Sequence, residues 1–311
     1  MKKIYVAHLA VIGANIIFGI NYVVAKGIMP DYLLPRSIIF LRVFGATVIF
    51  WLVSLLFPRE NVDRKDLLRL AVCALFGVAI NQVLFFEGLN LTTPINSAII
   101  MVTIPIMVLV FAYFIIGDKI TRNKTIGILF GFAGAVYLIL QGGNISIKAD
   151  TTLGNLLTFL NASSYALFLV LVKPLMKKYS ALTIMKWVFT FGFIYIIPFS
   201  LHLVIDSDFN AIPTNIWFSI IYVVVFTTVL AYFLNNFSLK TISPTMNSTY
   251  IYLQPLLATV VALLASKDTL TYVEILAAIF IFIGVYFVNF RKEKSYPGKL
   301  ENTNFKKANS K

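Results

Sequence analysis

The stretch LTTPINSAIIMVTIPIM, residues 91–107, decides the fold. It is apolar enough to lie in a membrane, yet it carries two prolines, Pro94 and Pro105, eleven residues apart. A proline inside a helix removes a backbone donor and clashes with the carbonyl one turn back, at a cost of about 3 kcal/mol. Broken helix backbone is tolerated in a bilayer only where it is buried in protein or lines a wet cavity. These prolines predict an interrupted helix beside an interior cavity, and a kink that only serves packing is the alternative.

The composition identifies lipid as the solvent. Hydrophobic residues make up 59% of the 311 residues and charged residues only 13%, against roughly 25% charged in soluble domains. A membrane-spanning helix needs about 20 mostly apolar residues. Ten segments meet that requirement: 4–26, 34–57, 67–87, 92–116, 124–141, 153–173, 180–202, 214–237, 245–266 and 271–290. We expect an all-α integral membrane protein in a lipid bilayer, with no room for a separate soluble domain.

The basic residues alternate from loop to loop, and this alternation predicts the orientation. If the N-terminus is cytoplasmic, the cytoplasmic segments hold 20 Lys and Arg residues and the opposite face holds only Lys26, Arg36, Lys148 and Lys267. Such an excess is the positive-inside signal. It places both termini in the cytoplasm, which agrees with an even number of crossings. The net charge of +13 therefore does not indicate a nucleic-acid partner.

Both ends of the chain have simple interpretations. Residues 291–311 are predicted to be a disordered, basic cytoplasmic tail, solvated or touching anionic headgroups. The apolar run after Lys2 and Lys3 is too long for a usual signal-peptide core, so we interpret it as the first spanning helix. Heavy use of Lys, Asn and Ile suits an AT-rich bacterium, which predicts a location in the bacterial inner (cytoplasmic) membrane.

The opening pattern recurs once. The stretch TISPTMNSTYIYLQPLL, residues 241–257, carries Pro244 and Pro255 at the same spacing, and residues 88–140 align with 238–290 without a gap. Asp118 then meets Asp268 and Gly134 meets Gly284. Upstream, Lys26 meets Lys173 at an offset of 147. The sequence thus predicts two five-helix repeats, residues 4–141 and 153–290.

Five crossings in each repeat make the repeats inverted. Five is odd, so matched helices must cross the membrane in opposite directions. Inverted repeats are typical of secondary transporters, which bind substrate near the midplane between the halves and use interrupted helices there. We therefore expect ten transmembrane helices arranged as two inverted five-helix repeats around a central cavity.

Several motifs resemble a known family. FGINYVVAK in the first segment, FLR at Phe40 to Arg42 and the run SAIIMVTIPIMVLVFAYFIIGDKIT, residues 97–121, are similar to the EamA type of the drug/metabolite transporter superfamily. The resemblance covers about residues 4–290. It implies a two-repeat carrier with a central cavity. Such a carrier would act as an exporter or facilitator for amino acids, related metabolites or drugs. Where many members have Trp before the glycine of the first segment, this chain has Phe18, so the substrate does not follow from the resemblance.

Polar side chains inside apolar segments are candidates for the cavity lining, because such groups are costly in lipid. Asn15, Gly19, Tyr22 and Lys26 follow one helical face of the first segment. Asn247, Tyr250 and Gln254 form a second stripe before Pro255. Further substrate-cavity candidates are Asn81, Gln82, Asn96, Asn161, Tyr165, Trp187, Asn235 and Asn236. Amide and phenol groups suit a polar or zwitterionic small molecule. The alternative for each is an interhelical hydrogen bond, worth on average about 0.6 kcal/mol in a membrane.

Three charged residues are interpreted as gating or structural. Arg42 and Glu87 fall at a similar depth near the outer face, where they could form a structural or gating pair, and Lys26 ends the first stripe. The sequence predicts no metal site, no cofactor and no catalytic residue. A membrane-embedded enzyme acting on a lipid-linked substrate and a non-transporting scaffold remain the alternatives to a transporter. The oligomeric state, monomer or homodimer, stays open.

We predict transport without proton coupling. Only Glu87 and Glu274 lie within apolar segments, both near the ends, whereas proton pumps use ionisable relays in the core. Transport in proteoliposomes should therefore be similar with and without a pH gradient. A strong dependence that persists in Glu87→Gln would contradict a facilitator or exchanger.

Overall fold

A computed structural model describes residues 2–117, 121–141, 149–266 and 268–289. Within these ranges the chain is helical, without a β-strand. Ten helical segments follow one another: α1 Lys2–Lys26, α2 Pro35–Ser54, α3 Arg64–Leu91, α4 Pro94–Ile116, α5 Arg122–Gln141, α6 Ala149–Met176, α7 Ala181–Ile205, α8 Thr214–Ser238, α9 at 244–264 and α10 Tyr272–Asn289. A single 3-10 turn, Phe209–Ala211, lies between α7 and α8. The predicted tail, 291–311, and Asp118 lie outside the described residues.

Eight of these segments are long and apolar enough to cross a membrane. The two others, α5 and α10, contain shorter apolar stretches, Thr125–Leu138 and Tyr272–Gly284. The all-α membrane fold expected from the composition is confirmed. The predicted limits shift at several ends; the third segment, for example, extends from Arg64 to Leu91 rather than over 67–87.

Each proline-bearing segment is interrupted, as expected. In α4 one helix runs from Pro94 to Met101 and a second from Ile104 to Ile116. In α9 the helix from Pro244 gives way to a 3-10 turn, Tyr250–Tyr252, before the helix continues from Leu253. The second proline of each segment therefore lies in the first turn after the break, where its missing N–H is tolerated best.

The first proline of each segment begins its helix in the same way. Thr93 and Ser243 are extended residues whose side chains accept hydrogen bonds from the backbone N–H groups of Asn96 and Met246. A residue before proline favours the extended conformation, and a hydroxyl at this position satisfies an orphan amide of the first turn. The two repeats thus share a helix start as well as a helix break.

A second irregularity also occurs in both repeats. α3 contains a π-helical turn at Leu75–Ala79, and α8 contains a longer one at Tyr222–Ala231. At the upstream repeat offset of 147, Leu75–Ala79 falls on residues 222–226, inside the longer turn. π-Helical turns inside α-helices are frequent at functional sites because they change which side chains face the interior.

Matched helices pack against each other in antiparallel fashion. Phe40 of α2 contacts Phe193 of α7, and Phe50 contacts Phe189. Residue numbers increase along α2 where they decrease along α7, so these two helices are antiparallel. α5 and α10 are also antiparallel. An added Cβ at Gly284 would lie 2.5 Å from the Gly131 nitrogen, and one at Gly134, later in α5, would lie 2.9 Å from the carbonyl oxygen of Ala277, earlier in α10. The two repeats are therefore inverted relative to each other.

We predict that the α5–α10 contact requires glycine. At Gly284 a Cβ would also lie 2.6 Å from the Gly127 carbonyl oxygen, so Gly284→Ala must push two backbones apart, at a cost of about 1–3 kcal/mol. In Gly13→Ala the new Cβ would meet only Leu234 Cδ1, at 3.7 Å. The melting temperature in detergent should fall for the first variant and stay equal or rise for the second, because alanine is the better helix former. Equal melting temperatures would contradict this role of Gly284.

Candidate functional site

A cavity of about 570 Å³ lies between the two repeats. This volume includes space at the cavity's opening to solvent. The first repeat contributes Asn15, Phe18, Asn21, Tyr22, Arg42, Asn81, Gln82, Phe85, Met101 and Ile104, and the second contributes Asn161, Tyr165, Thr227, Tyr232, Asn235, Ile251 and Gln254. The lining is thus rich in amides and aromatic rings.

The broken turns of α4 and α9 reach this cavity at matched positions. Pro105 and Pro255 cannot donate to the carbonyls of Met101 and Ile251, four residues earlier. Both Met101 and Ile251 line the cavity, and the two positions are 150 residues apart. This is the arrangement expected from the proline pattern, with the interruption beside the cavity.

On one side of the cavity, a continuous chain of hydrogen bonds joins α1 and α9. The Tyr22 hydroxyl donates to Gln254 Oε1 at 2.8 Å, and Gln254 Nε2 donates to Asn15 Oδ1 at 2.6 Å. Asn15 in turn donates to the Val11 carbonyl of its own helix. These three residues come from the two predicted stripes and do meet at the cavity. Because they satisfy one another, they hold α1 against α9.

The opposite wall joins α3, α6 and α8. The Tyr232 hydroxyl donates to Asn81 Oδ1 at 3.1 Å, and Asn161 Nδ2 donates to the Asn81 carbonyl at 2.6 Å. Asn235 Nδ2 donates to the Tyr165 hydroxyl at 2.7 Å. Other polar atoms of the lining have no hydrogen-bond partner among the described residues, including Asn21 Oδ1, Asn161 Oδ1 and Thr227 Oγ1. Buried polar groups normally have partners, so these atoms are left with an unmet hydrogen bond in this conformation.

Arg42 contributes the cavity's positive charge. Its side chain is buried, with a relative exposure of 3%. Its Nε donates to Thr228 Oγ1 at 2.7 Å, and the guanidinium lies 4.5 Å from the centroid of the Phe86 ring. The suggested pair with Glu87 is wrong, because Glu87 instead binds Arg36 at 2.8 Å. Arg42 lies nearly two turns farther along α2 than Arg36. This separation places Arg42 in the interior, away from the exposed Arg36–Glu87 pair.

A lysine in each repeat binds backbone carbonyls just before the broken helix. These lysines are Lys26 and its repeat partner Lys173. Lys26 Nζ donates to the carbonyls of Leu89 and Asn90, at 3.0 and 2.6 Å. Lys173 Nζ donates to the carbonyls of Leu239 and Ile242. The end of the first helix is therefore fixed to the last turn of α3 in the first repeat, and to the connection between α8 and α9 in the second. Because the repeats are inverted, the two anchors belong to opposite ends of the bundle.

Six predicted cavity residues do not line the cavity. Gly19 provides close packing, since an added Cβ would lie 2.8 Å from Leu257 Cβ. Asn96 and Asn236 hydrogen-bond within or next to their own helices, to Thr92 Oγ1 and to the Tyr232 carbonyl. Trp187 packs edge-on against Trp51. Gly19 and Trp187 thus pack between helices, whereas Asn96 and Asn236 bond locally.

The α9 stripe also divides. Asn247 donates to Ser238 Oγ and the Asn235 carbonyl, while the Tyr250 hydroxyl lies 2.7 Å from His8 Nδ1. Only Gln254 reaches the cavity. The 3-10 turn at Tyr250–Tyr252 explains the difference, because three residues per turn rotate the face expected from a regular helix.

Sequence reasoning missed several lining residues. Tyr232 and Thr227 lie in or just after the π-helical turn of α8, whose altered period was not visible in the sequence. Asn21 lies one position from the first stripe, and Phe18 is the aromatic residue noted before Gly19. A search for aromatic as well as amide side chains would have found Phe18 beside the first stripe and Phe85 one turn after Asn81.

Known proteins are similar to this chain over most of its length. The uncharacterized transporters YyaM and YetK of Bacillus subtilis are each 27% identical to it, over 89% and 97% of this chain and 92% and 93% of their own lengths. A WAT1-related protein of Arabidopsis thaliana, At3g18200, is 25% identical over 91% of this chain and 78% of its own. One crystal structure superposes with a TM-score of 0.64 at 15% identity, over 91% of this chain and 96% of that one.

The family profile matches the chain twice. The EamA-like transporter family matches residues 6–140 and again residues 152–290. The two matches together span most of the chain and correspond to the two halves that enclose the cavity. This multi-pass membrane protein therefore belongs to the EamA-like transporter family of drug/metabolite-type transporters.

Proposed function

We propose that this protein is a secondary carrier that moves small polar or amphipathic organic metabolites across the membrane by alternating access of its two inverted repeats. The observation that carries the proposal is the cavity, which both repeats line and which both broken helices reach. Transporters with this architecture bind substrate at the repeat interface and expose it to each side in turn. The location in an inner membrane with both termini in the cytoplasm remains part of the proposal.

The two lysine anchors suggest how access alternates. Each anchor fixes the first helix of one repeat to backbone carbonyls at one end of the bundle, at the end of α3 for Lys26 and just after α8 for Lys173. Release of the Lys26 anchor would free the outer end under the proposed orientation, and release of the Lys173 anchor would free the cytoplasmic end. Opening of one end while the other stays fixed is what a carrier requires, because both ends open together would form a pore. The carrier is proposed to act as an exporter or facilitator rather than as a proton-coupled pump.

We predict reciprocal changes in cavity accessibility when one anchor is removed. A hydrogen bond to a charged group contributes about 1.5–3 kcal/mol, so Lys26→Met should shift the population of outward-open states on the order of tenfold. In a Cys73→Ser background, a cysteine at Gln82 should then react faster with a membrane-impermeant maleimide from the outside and more slowly from the cytoplasm. Lys173→Met should have the opposite effect.

Two control cysteines define what the labelling means. Lys177→Cys lies in an exposed connection and should react from one side only, whichever anchor is present. Leu52→Cys is on an exposed apolar surface of α2, with a relative exposure of 59%, and should face lipid and react from neither side. Labelling at Gln82 that is one-sided in every variant would favour a scaffold, and labelling that rises from both sides together would favour a pore.

A further inference from the structure

Arg42 is a buried cation without an acidic partner. The three ion pairs among the described residues are Arg36–Glu87, Arg69–Asp66 and Lys178–Asp66, and none includes Arg42. The cavity lining in the described part of the chain contains no aspartate or glutamate. Removing a charge from water costs several kcal/mol even after relaxation unless another charge compensates it. The empty protein therefore carries an uncompensated positive charge at the cavity.

The surroundings of Arg42 leave one side of its guanidinium group available. Thr228 uses its own proton to donate to the Val223 carbonyl at 2.7 Å, so its oxygen can accept from Arg42 Nε. The Cζ atom of Arg42 lies 4.5 Å from the centroid of the Phe86 ring. These contacts hold the guanidinium in place and leave its two terminal nitrogens without a hydrogen bond to another described residue. A pair of parallel N–H donors is the geometry that binds a carboxylate through both of its oxygens.

We propose that the molecule carried in this cavity is an organic monocarboxylate whose carboxylate group pairs with Arg42. This inference rests on the proposed carrier function and specifies its substrate class. The anion supplies the charge that Arg42 lacks, so the loaded cavity is neutral. A neutral interior is the less costly one to move between two sides of a low-dielectric membrane.

The rest of the lining defines the body of the anion. Phe18, Phe85 and Tyr165 provide apolar and aromatic surface, and the amides of Asn21 and Asn161 can donate or accept hydrogen bonds. A body that is partly apolar and bears an uncharged hydrogen-bonding group satisfies both features. A cationic compound would meet Arg42 without a compensating carboxylate. A zwitterionic amino acid would pair its carboxylate but leave the loaded cavity positive.

Matched ligands test the charge preference directly. The purified full chain would be titrated with lactate, phenylacetate and 3-phenyllactate, each compared with its primary amide, and with phenylalanine and phenylethylamine, while the thermal midpoint is followed at constant chloride. We expect at least one carboxylate to raise the midpoint, its amide to have little effect, phenylalanine to bind more weakly than 3-phenyllactate, and phenylethylamine to have no effect. No stabilisation by any carboxylate, or equal stabilisation by amide and acid, would overturn the proposal.

Variants of Arg42 assign the effect to this side chain. Arg42→Gln should weaken carboxylate binding by about tenfold to a hundredfold, since it removes a charged hydrogen-bonding partner. Arg42→Lys keeps the charge without the two-pronged geometry and should retain the preference for acid over amide at lower affinity. Arg69→Gln, a change at an arginine paired with Asp66 and 64% exposed, should leave the titration unchanged. Carboxylate binding that is unaltered in Arg42→Gln would overturn the assignment.

The unliganded variant separates this role from a structural one. If Arg42 serves binding, Arg42→Gln should be at least as stable as the parent chain without ligand, because the uncompensated buried charge is gone. A large loss of stability in both Arg42→Gln and Arg42→Lys would instead show that the arginine holds α2 against α8. Reciprocal labelling of the Gln82 cysteine does not depend on ligand charge. If labelling succeeds and the carboxylate panel fails, the carrier stands and only the substrate class is wrong.

Discussion

The need to satisfy backbone hydrogen bonds in lipid is the constraint on which this structure depends. Pro105 and Pro255 each remove a helical donor, and no lipid molecule can replace it. The broken turns therefore have to be enclosed by protein, and the molecule encloses them between its two repeats, where Met101 and Ile251 line a cavity. The prolines thus explain why both α4 and α9 reach the cavity between the repeats. The π-helical turns of α3 and α8 add polar side chains to the same space.

The repeats share their backbone design but not their side-chain chemistry. The helix starts at Thr93 and Ser243 and the anchors at Lys26 and Lys173 have the same form in both halves. Arg42 has no such counterpart, since the residue 147 positions later is Phe189. A symmetric backbone allows two states of similar energy that differ in the open side. An asymmetric lining lets the substrate keep a single set of partners in both states.

Much of the architecture could be predicted from sequence because it follows from local chemistry. Apolar length gave the spanning segments, and the matched prolines indicated the breaks and the repeat. The loop charges added a predicted orientation. The positions and partners of individual side chains were harder to predict from the sequence. The stripe of Asn247 and Tyr250 assumed a regular helix, and one 3-10 turn redirected it. The suggested Arg42–Glu87 pair failed for a different reason, since the arginine at the depth of Glu87 is Arg36, at the start of α2.

Within the cavity, the side chains that hold the helices together differ from the side chain that can bind a ligand. The former have their hydrogen bonds completed by other residues, and the latter lacks a counter-charge. Tyr22, Gln254 and Asn15 complete one another's hydrogen bonds, so a ligand gains little by replacing them, and their value is to hold α1 to α9. Arg42 lacks a counter-charge, and a group that the fold leaves uncompensated is one that a ligand can stabilise. Such a group is costly for the empty protein and favourable for the loaded one. This difference links occupancy of the cavity to the energy of the conformations that enclose it, which is the coupling a carrier needs if it is to change state mainly when loaded.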